Sequence, residues 1–192
     1  GDAFESIKSI DDDIYKEIVL YAIKKDIILL SDLAYSEIYF SEDDKPTSIL
    51  EIDGAKDVAV EFTSMSKTFS MPGWRMGFAV GNEYLISALT RIKSYLDYGA
   101  FTPIQVASVT ALNSDKKFID DIRMVYKERR DILIESFSNA GWDIPAPKAT
   151  MFAWSPIPEK YKEMTSLEFS KLLLEKADIA VSPGLGFGEY GE

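Results

Sequence analysis

Two short apolar runs constrain what this chain can fold into more than any other feature. "DIILLSD" (26–32) and "DVAVEF" (57–62) are rich in β-branched and apolar residues without polar alternation, the pattern of strands buried on both faces of a parallel sheet. Around them the spacing is helical. Ile14, Ile18, Val19 and Ala22 follow an acidic start and predict a helix over 12–25. "WRMGFAV" (74–80) reads as a third strand closed by Gly81-Asn82. Asn82 then caps a helix reaching about Leu96, with Leu85, Ile86, Leu89, Ile92 and Lys93 along one side. Pro103 opens a further helix to about Leu112. The longest helix is expected from about Lys116 to Asn139, stopped at Gly141, as a spine linking two lobes. A strand at "TMFAWS" (150–155), a helix from about Ser166 to Lys176 and a strand at "DIAVS" (178–182) complete the pattern. Strands alternating with helices indicate an α/β fold. Ligands of such sheets gather outside the carboxyl ends of the strands, where Asp32 and the loop from Ser64 to Lys67 fall.

Composition narrows the chemistry. The 192 residues carry a net charge of −11, which argues against nucleic acid or an anionic membrane as partner. Any anion bound here must be held locally. The chain has no cysteine and no histidine. Thiolate chemistry, disulfides, serine triads and most zinc sites are thereby excluded, together with imidazole as a general base. Lysine, tyrosine, carboxylates or a cofactor must supply the reactivity. No apolar run approaches the roughly 20 residues that cross a bilayer. Residues 1–13 are acidic and mixed, unlike a targeting signal, and a cytoplasmic setting is expected.

The segments "SDLAY" (31–35) and "SMSKTFSMPGWR" (64–75) together offer a carboxylate, a phenol, an amine, several hydroxyls and a guanidinium. Hydroxyls, loop N–H groups and the fork of Arg75 suit a phosphate. Lys67 is then available for covalent work, since a lysine beside another cation or an apolar wall becomes a nucleophile toward carbonyls. A cofactor bearing an aldehyde and a phosphate meets both conditions, and pyridoxal phosphate is such a molecule. Its ring nitrogen requires an anionic partner, a role open to Asp32, and Tyr35 is placed to donate to its phenolic oxygen. Taken singly, these residues have simpler readings: Lys67 as a surface lysine, Asp32 as a cap and Arg75 in a surface ion pair.

The segments "SDLAYSEIYF", "SMSKTFSMPGWRMGFAVGN", "RIKSYLDYGAFTPIQVAS" and "VSPGLGFGEYGE" closely resemble the class I/II aminotransferases of the fold-type I pyridoxal phosphate enzymes. The likeness is strongest to the branch of alanine (glutamate–pyruvate) and diaminopimelate aminotransferases. It implies part of the large cofactor domain over 1–122, with a mostly parallel sheet and flanking helices. A small α+β C-terminal domain would follow over 123–192. It also implies Lys67 as the Schiff-base lysine that moves the substrate proton, Asp32 on the pyridine nitrogen and Tyr35 on the phenolic oxygen. Ser64, Ser66 and Arg75 would hold the phosphate. The region from Tyr98 to Pro103 would approach a partner subunit, which implies a homodimer acting on an amino acid and a 2-oxo acid.

A protein of this kind is about twice as long, so the resemblance implies a fragment. The earlier half would carry an Asn-Pro-Thr-Gly turn and the aromatic residue that stacks on the cofactor, and an arginine beyond Glu192 would grip the substrate carboxylate. The isolated chain is therefore expected to have little or no activity. A lyase or decarboxylase of the same fold, or a non-catalytic remnant, are the alternatives. "GLGFG" (184–188) reads as a turn rather than a nucleotide fingerprint, and Asp11 to Asp13 as a helix start rather than a metal site. Trp142, Phe152 and Trp154 read as core of the small domain, with Phe152 and Trp154 close to where a substrate enters.

Overall fold

A computed structural model of the chain describes residues 12–192, so Asp11 of the acidic run lies outside the described residues. Two compact units divide the chain. The first runs to Asp131 and takes back Pro147–Phe152, and the second comprises Ile132–Ala146 and Ala153–Glu192.

The first unit begins with α1 (Asp12–Lys25), whose last turn carries Lys24 and Lys25 where the helix dipole favours cations. Its inward stripe is Val19 and Ala22, both almost fully buried. β1 (Leu29–Asp32) follows. The short helix α2 (Ala55–Val58) leads into β2 (Ala59–Ser64), α3 (Met65–Thr68) is a single turn, and β3 is Gly77–Gly81. The sheet has the order β1-β2-β3. β1 and β2 are parallel, Leu29 beside Ala59 and Asp32 beside Phe62. β3 returns antiparallel, Val60 beside Gly81 and Ser64 beside Gly77. Gly81 is fixed by this return, because a Cβ there would meet the Ala59 carbonyl, and its φ of 143° excludes most side chains. The core gathers Val19, Ile49, Ala55 and Ala59, with Tyr15, Leu29, Leu50 and Ile52 packed against it.

β2 matches its expectation of burial, Ala59, Val60 and Glu61 all being inside. β1 does not. Leu30 is 72% exposed and Ile28 57%, so the run 26–32 is covered on one face. The reason is positional: among the described residues β1 is the sheet edge, paired with β2 alone.

α4 (Glu83–Leu96) starts where expected. The Asn82 side chain accepts from the Tyr84 and Leu85 N–H groups and donates to the Lys56 and Asp57 carbonyls, tying the helix start to α2. α5 (Thr102–Leu112) has proline in its first turn. α6 (Lys117–Asn139) carries Lys117–Asp121 and Lys127–Asp131 pairs one turn apart. Within the first unit it is clamped by two arginines. The Arg123 guanidinium lies 3.8 Å from the centroid of the buried Tyr39 ring and donates to the Glu37 carbonyl and carboxylate. Arg130 stacks on Phe40 and donates to the Pro147 carbonyl.

In the second unit, α7 (Ser166–Ala177) opens with a capping box between Thr165 and Glu168. Trp142 sits edge-on against both Phe137 and Phe169. These rings line a cavity of about 490 Å³ together with 153–157 and 179–184. The strands expected over 150–155 and 178–182 are not formed. A strand exists only through pairing: beside 150–152, which belong to the first unit, there is only the isolated bridge of Tyr39 with Ala149, and among the described residues no strand pairs with 153–155 or 178–182.

Candidate active site

The pairing of β1 with β2 continues one step past Asp32, where the Leu33 N–H donates to Phe62 O at 2.8 Å. The chain then turns sharply. Asp32 Oδ1 accepts from Ala34 N–H at 3.1 Å, Ser36 N–H donates to Leu33 O and Ile38 N–H to Tyr35 O. Asp32 thus caps the turn that carries Tyr35, the simpler role open to it from sequence, while its carboxylate head remains exposed at the strand's carboxyl end.

One strand over, β2 ends in α3. The Ser64 hydroxyl accepts from Ser66 N–H at 3.2 Å, which starts the turn. Ser66 is buried at 7% exposure, and Lys67 follows with its Nζ 5.3 Å from the centre of the Tyr35 ring. The fold therefore brings Lys67 to Tyr35 across 32 positions of sequence, with Asp32 on the same turn as the phenol. Behind Tyr35 stands Phe152, edge-on with ring centres 5.3 Å apart.

Arg75 is brought back by the loop that closes on α3. Met65 N–H donates to Met76 O, and Met71 N–H to Met65 O. Ser70 and Arg75 both adopt left-handed backbone, at φ of 51° and 53°. Arg75 directly precedes the Met76–Met65 bond, yet its guanidinium donates to the Pro72 carbonyl of its own loop at 3.0 Å. The guanidinium is turned inward on the loop rather than onto Ser64 or Ser66.

Sequence reasoning passed over Glu61. Its carboxylate, 5% exposed, accepts from Ser31 Oγ, Ser48 Oγ and Ile49 N–H, and so joins the residue before Asp32 to β2. The signal was available: one charge inside the otherwise apolar "DVAVEF" must be satisfied by donors where it is buried. Among the described residues no group of acidic side chains is arranged to hold a metal.

The family model for aminotransferase class I and II matches residues 9–191. The chain belongs to that family. AatC of Rhizobium meliloti is 68% identical over 180 residues, 94% of this chain and 44% of that protein. The glutamate-pyruvate aminotransferase AlaC of Escherichia coli is 50% identical over 93% of this chain and 43% of its own length. Among solved structures, BacF of Bacillus subtilis superposes with a TM-score of 0.87 at 39% identity, covering 95% of this chain and 46% of that one. An aromatic aminotransferase of Pyrococcus horikoshii gives 0.83 at 29% identity, over 92% and 47%. The chain thus spans less than half the length of these relatives, and its fold is part of the fold-type I architecture.

Enzymes of this family use pyridoxal 5′-phosphate to move amino groups between amino acids and 2-oxo acids. The donor set here suits that cofactor: an amine beside a phenol, an exposed carboxylate on the phenol's own turn, and two serines and an arginine at the ends of one loop.

Proposed function

We propose that the protein carrying this chain is a pyridoxal phosphate-dependent aminotransferase of alanine- or glutamate-like amino acids and their 2-oxo acids. The observation that supports it most is the meeting of Lys67 and Tyr35 at the carboxyl ends of adjacent parallel strands, with Asp32 on the same turn. When bound, the cofactor supplies an electron sink that makes a substrate's Cα–H acidic. Lys67 would hold the cofactor covalently, and its amine would carry the proton at the substrate Cα. Asp32 holds the charge of the ring nitrogen. Tyr35 donates its phenolic O–H, and its ring face keeps the lysine amine within reach. Ser64, Ser66 and Arg75 would hold the phosphate, with the Arg75 guanidinium leaving the Pro72 carbonyl to reach it.

The same reading gives a cytoplasmic homodimer in which the region from Tyr98 to Pro103 meets the partner. The exposure of Tyr98 at 91% and Phe101 at 70% supports that surface. The test is turnover of alanine with 2-oxoglutarate by the whole protein. Wild type should transaminate, Lys67→Ala should lose about 10³-fold or more, and the 192-residue chain by itself should show little or none. Release of carbon dioxide without amino transfer, or undiminished turnover by Lys67→Ala, contradicts the proposal.

A further inference from the structure

The segment that follows α6 does something the cofactor roles leave unexplained. Residues 147–152 leave the second unit's run of sequence and are sewn into the first. The Phe40 N–H donates to Lys148 O, Tyr39 pairs with Ala149 in an isolated antiparallel bridge, and Thr150 N–H donates to Ile38 O at 2.7 Å. Ile38 N–H in turn donates to Tyr35 O, so this strap is bonded directly onto the turn that carries Tyr35.

Thr150 occupies a backbone conformation that its side chain disfavours. Its φ is 69°, in the left-handed region where a β-branched residue is a genuine outlier. Such a residue persists where its surroundings dictate it, and outliers of this kind concentrate at working sites. Here the surroundings are on view. The N–H of Thr150 is committed to Ile38, and its hydroxyl accepts from the Phe152 N–H at 3.3 Å. The left-handed turn redirects the chain within two residues and lays the Phe152 ring edge-on against Tyr35, whose ring in turn lies 5.3 Å from Lys67 Nζ. Phe152 is itself 54% exposed. Its burial therefore does not account for where it is held.

We propose that Thr150 is a positioning residue for the aminotransferase site: its left-handed turn and hydroxyl place Phe152 against Tyr35, and this contact fixes the Tyr35 phenol relative to the Lys67 amine. The proposal rests on the reading of Lys67 and Tyr35 given above. It assigns no substrate contact to Thr150. The side chain acts through Phe152 and Tyr35.

The experiment compares Thr150→Asn, Thr150→Val and Phe152→Ala with wild type, using two readouts. The first is the NMR shift of the labelled Tyr35 ring, which senses the Phe152 edge with no cofactor present. The second is the rate at which pyridoxal 5′-phosphate is trapped on Lys67 by borohydride in the whole protein. Asparagine tolerates left-handed backbone and keeps a short side-chain acceptor, so Thr150→Asn should preserve both readouts. Valine keeps the shape but lacks the acceptor. Thr150→Val and Phe152→Ala should both move the Tyr35 signals and change the trapping rate by roughly fivefold, the factor equivalent to one hydrogen bond of about 1 kcal/mol. Circular dichroism and thermal midpoint confirm that each variant is folded; a variant that does not fold is replaced by Phe152→Leu, for which the same changes are expected. Unmoved Tyr35 signals in Thr150→Val, or an unchanged trapping rate in Phe152→Ala, overturn the proposal. If wild type traps no cofactor, the aminotransferase reading fails while the Tyr35 shifts still decide whether Thr150 sets the contact.

Discussion

Glu61 shows how much one buried charge organises. Three donors from two other segments converge on its carboxylate: Ser31 on β1, and Ser48 and Ile49 before β2. Hydrogen bonds to a charged group are worth about 1.5–3 kcal/mol each, and orphaned donors add a penalty. Glu61→Ala should therefore lower stability by about 3 kcal/mol in urea unfolding, whereas Glu61→Gln, which keeps an acceptor, should lose about 1 kcal/mol. An alanine variant within about 0.5 kcal/mol of wild type would show the network to be incidental. The same charge reaches Tyr15, whose phenol is pushed above its ordinary value of 10.0, first by burial and then by Glu61. The native state thus holds that proton more tightly than the unfolded chain. The resulting stability is fully present below pH 10.0 and is lost as pH rises through the native value. Glu61→Gln should move the Tyr15 titration back toward 10.0 in ultraviolet difference spectra.

At the scale of elements, capping made the helices legible. Asn82 before α4, proline in the first turn of α5 and Gly141 beyond α6 place their boundaries within a residue or two of the observed ones. Local hydrogen bonds decide such boundaries, and local sequence encodes them. Asn82→Ala removes an acceptor for two N–H groups and two donors to α2. It should cost about 1–2 kcal/mol in a urea titration, and an unchanged midpoint would refute the cap. Strands were less legible. "DIILLSD" has the pattern of a strand buried on both faces, yet Leu30 lies open at the sheet edge, and "TMFAWS" and "DIAVS" form no strand. Periodicity reports what a segment is suited to, whereas a strand also depends on distant neighbours. The grouping of the candidate residues was legible for the same reason as the helices. Asp32, Tyr35, Ser64, Ser66 and Lys67 stand on two short stretches at strand ends. Glu61, Arg123 and the strap at Thr150 act through long-range contacts that no local pattern announces.

At the scale of the whole molecule, the described surface carries many large apolar side chains in the open. Leu30, Tyr84, Tyr95, Leu96, Tyr98 and Phe101 are each at least 70% exposed. Exposed apolar side chains of this size favour association or dye binding. The 192-residue chain by itself should accordingly bind the dye ANS strongly, and the whole protein should not; equal, weak binding by both would contradict this. Against that background the acidic net charge of −11 requires any bound anion to be held locally, and the proposed place is the loop of Ser64, Ser66 and Arg75. We propose that this loop and the Tyr35 turn form one wall of a pyridoxal phosphate site anchored on Lys67. Its most direct test is borohydride reduction of the whole protein with the cofactor, followed by peptide mass analysis. A pyridoxyl-phosphate increment on the peptide containing Lys67, absent in Lys67→Arg, is the predicted result, and no increment there, or one on a different lysine, contradicts it.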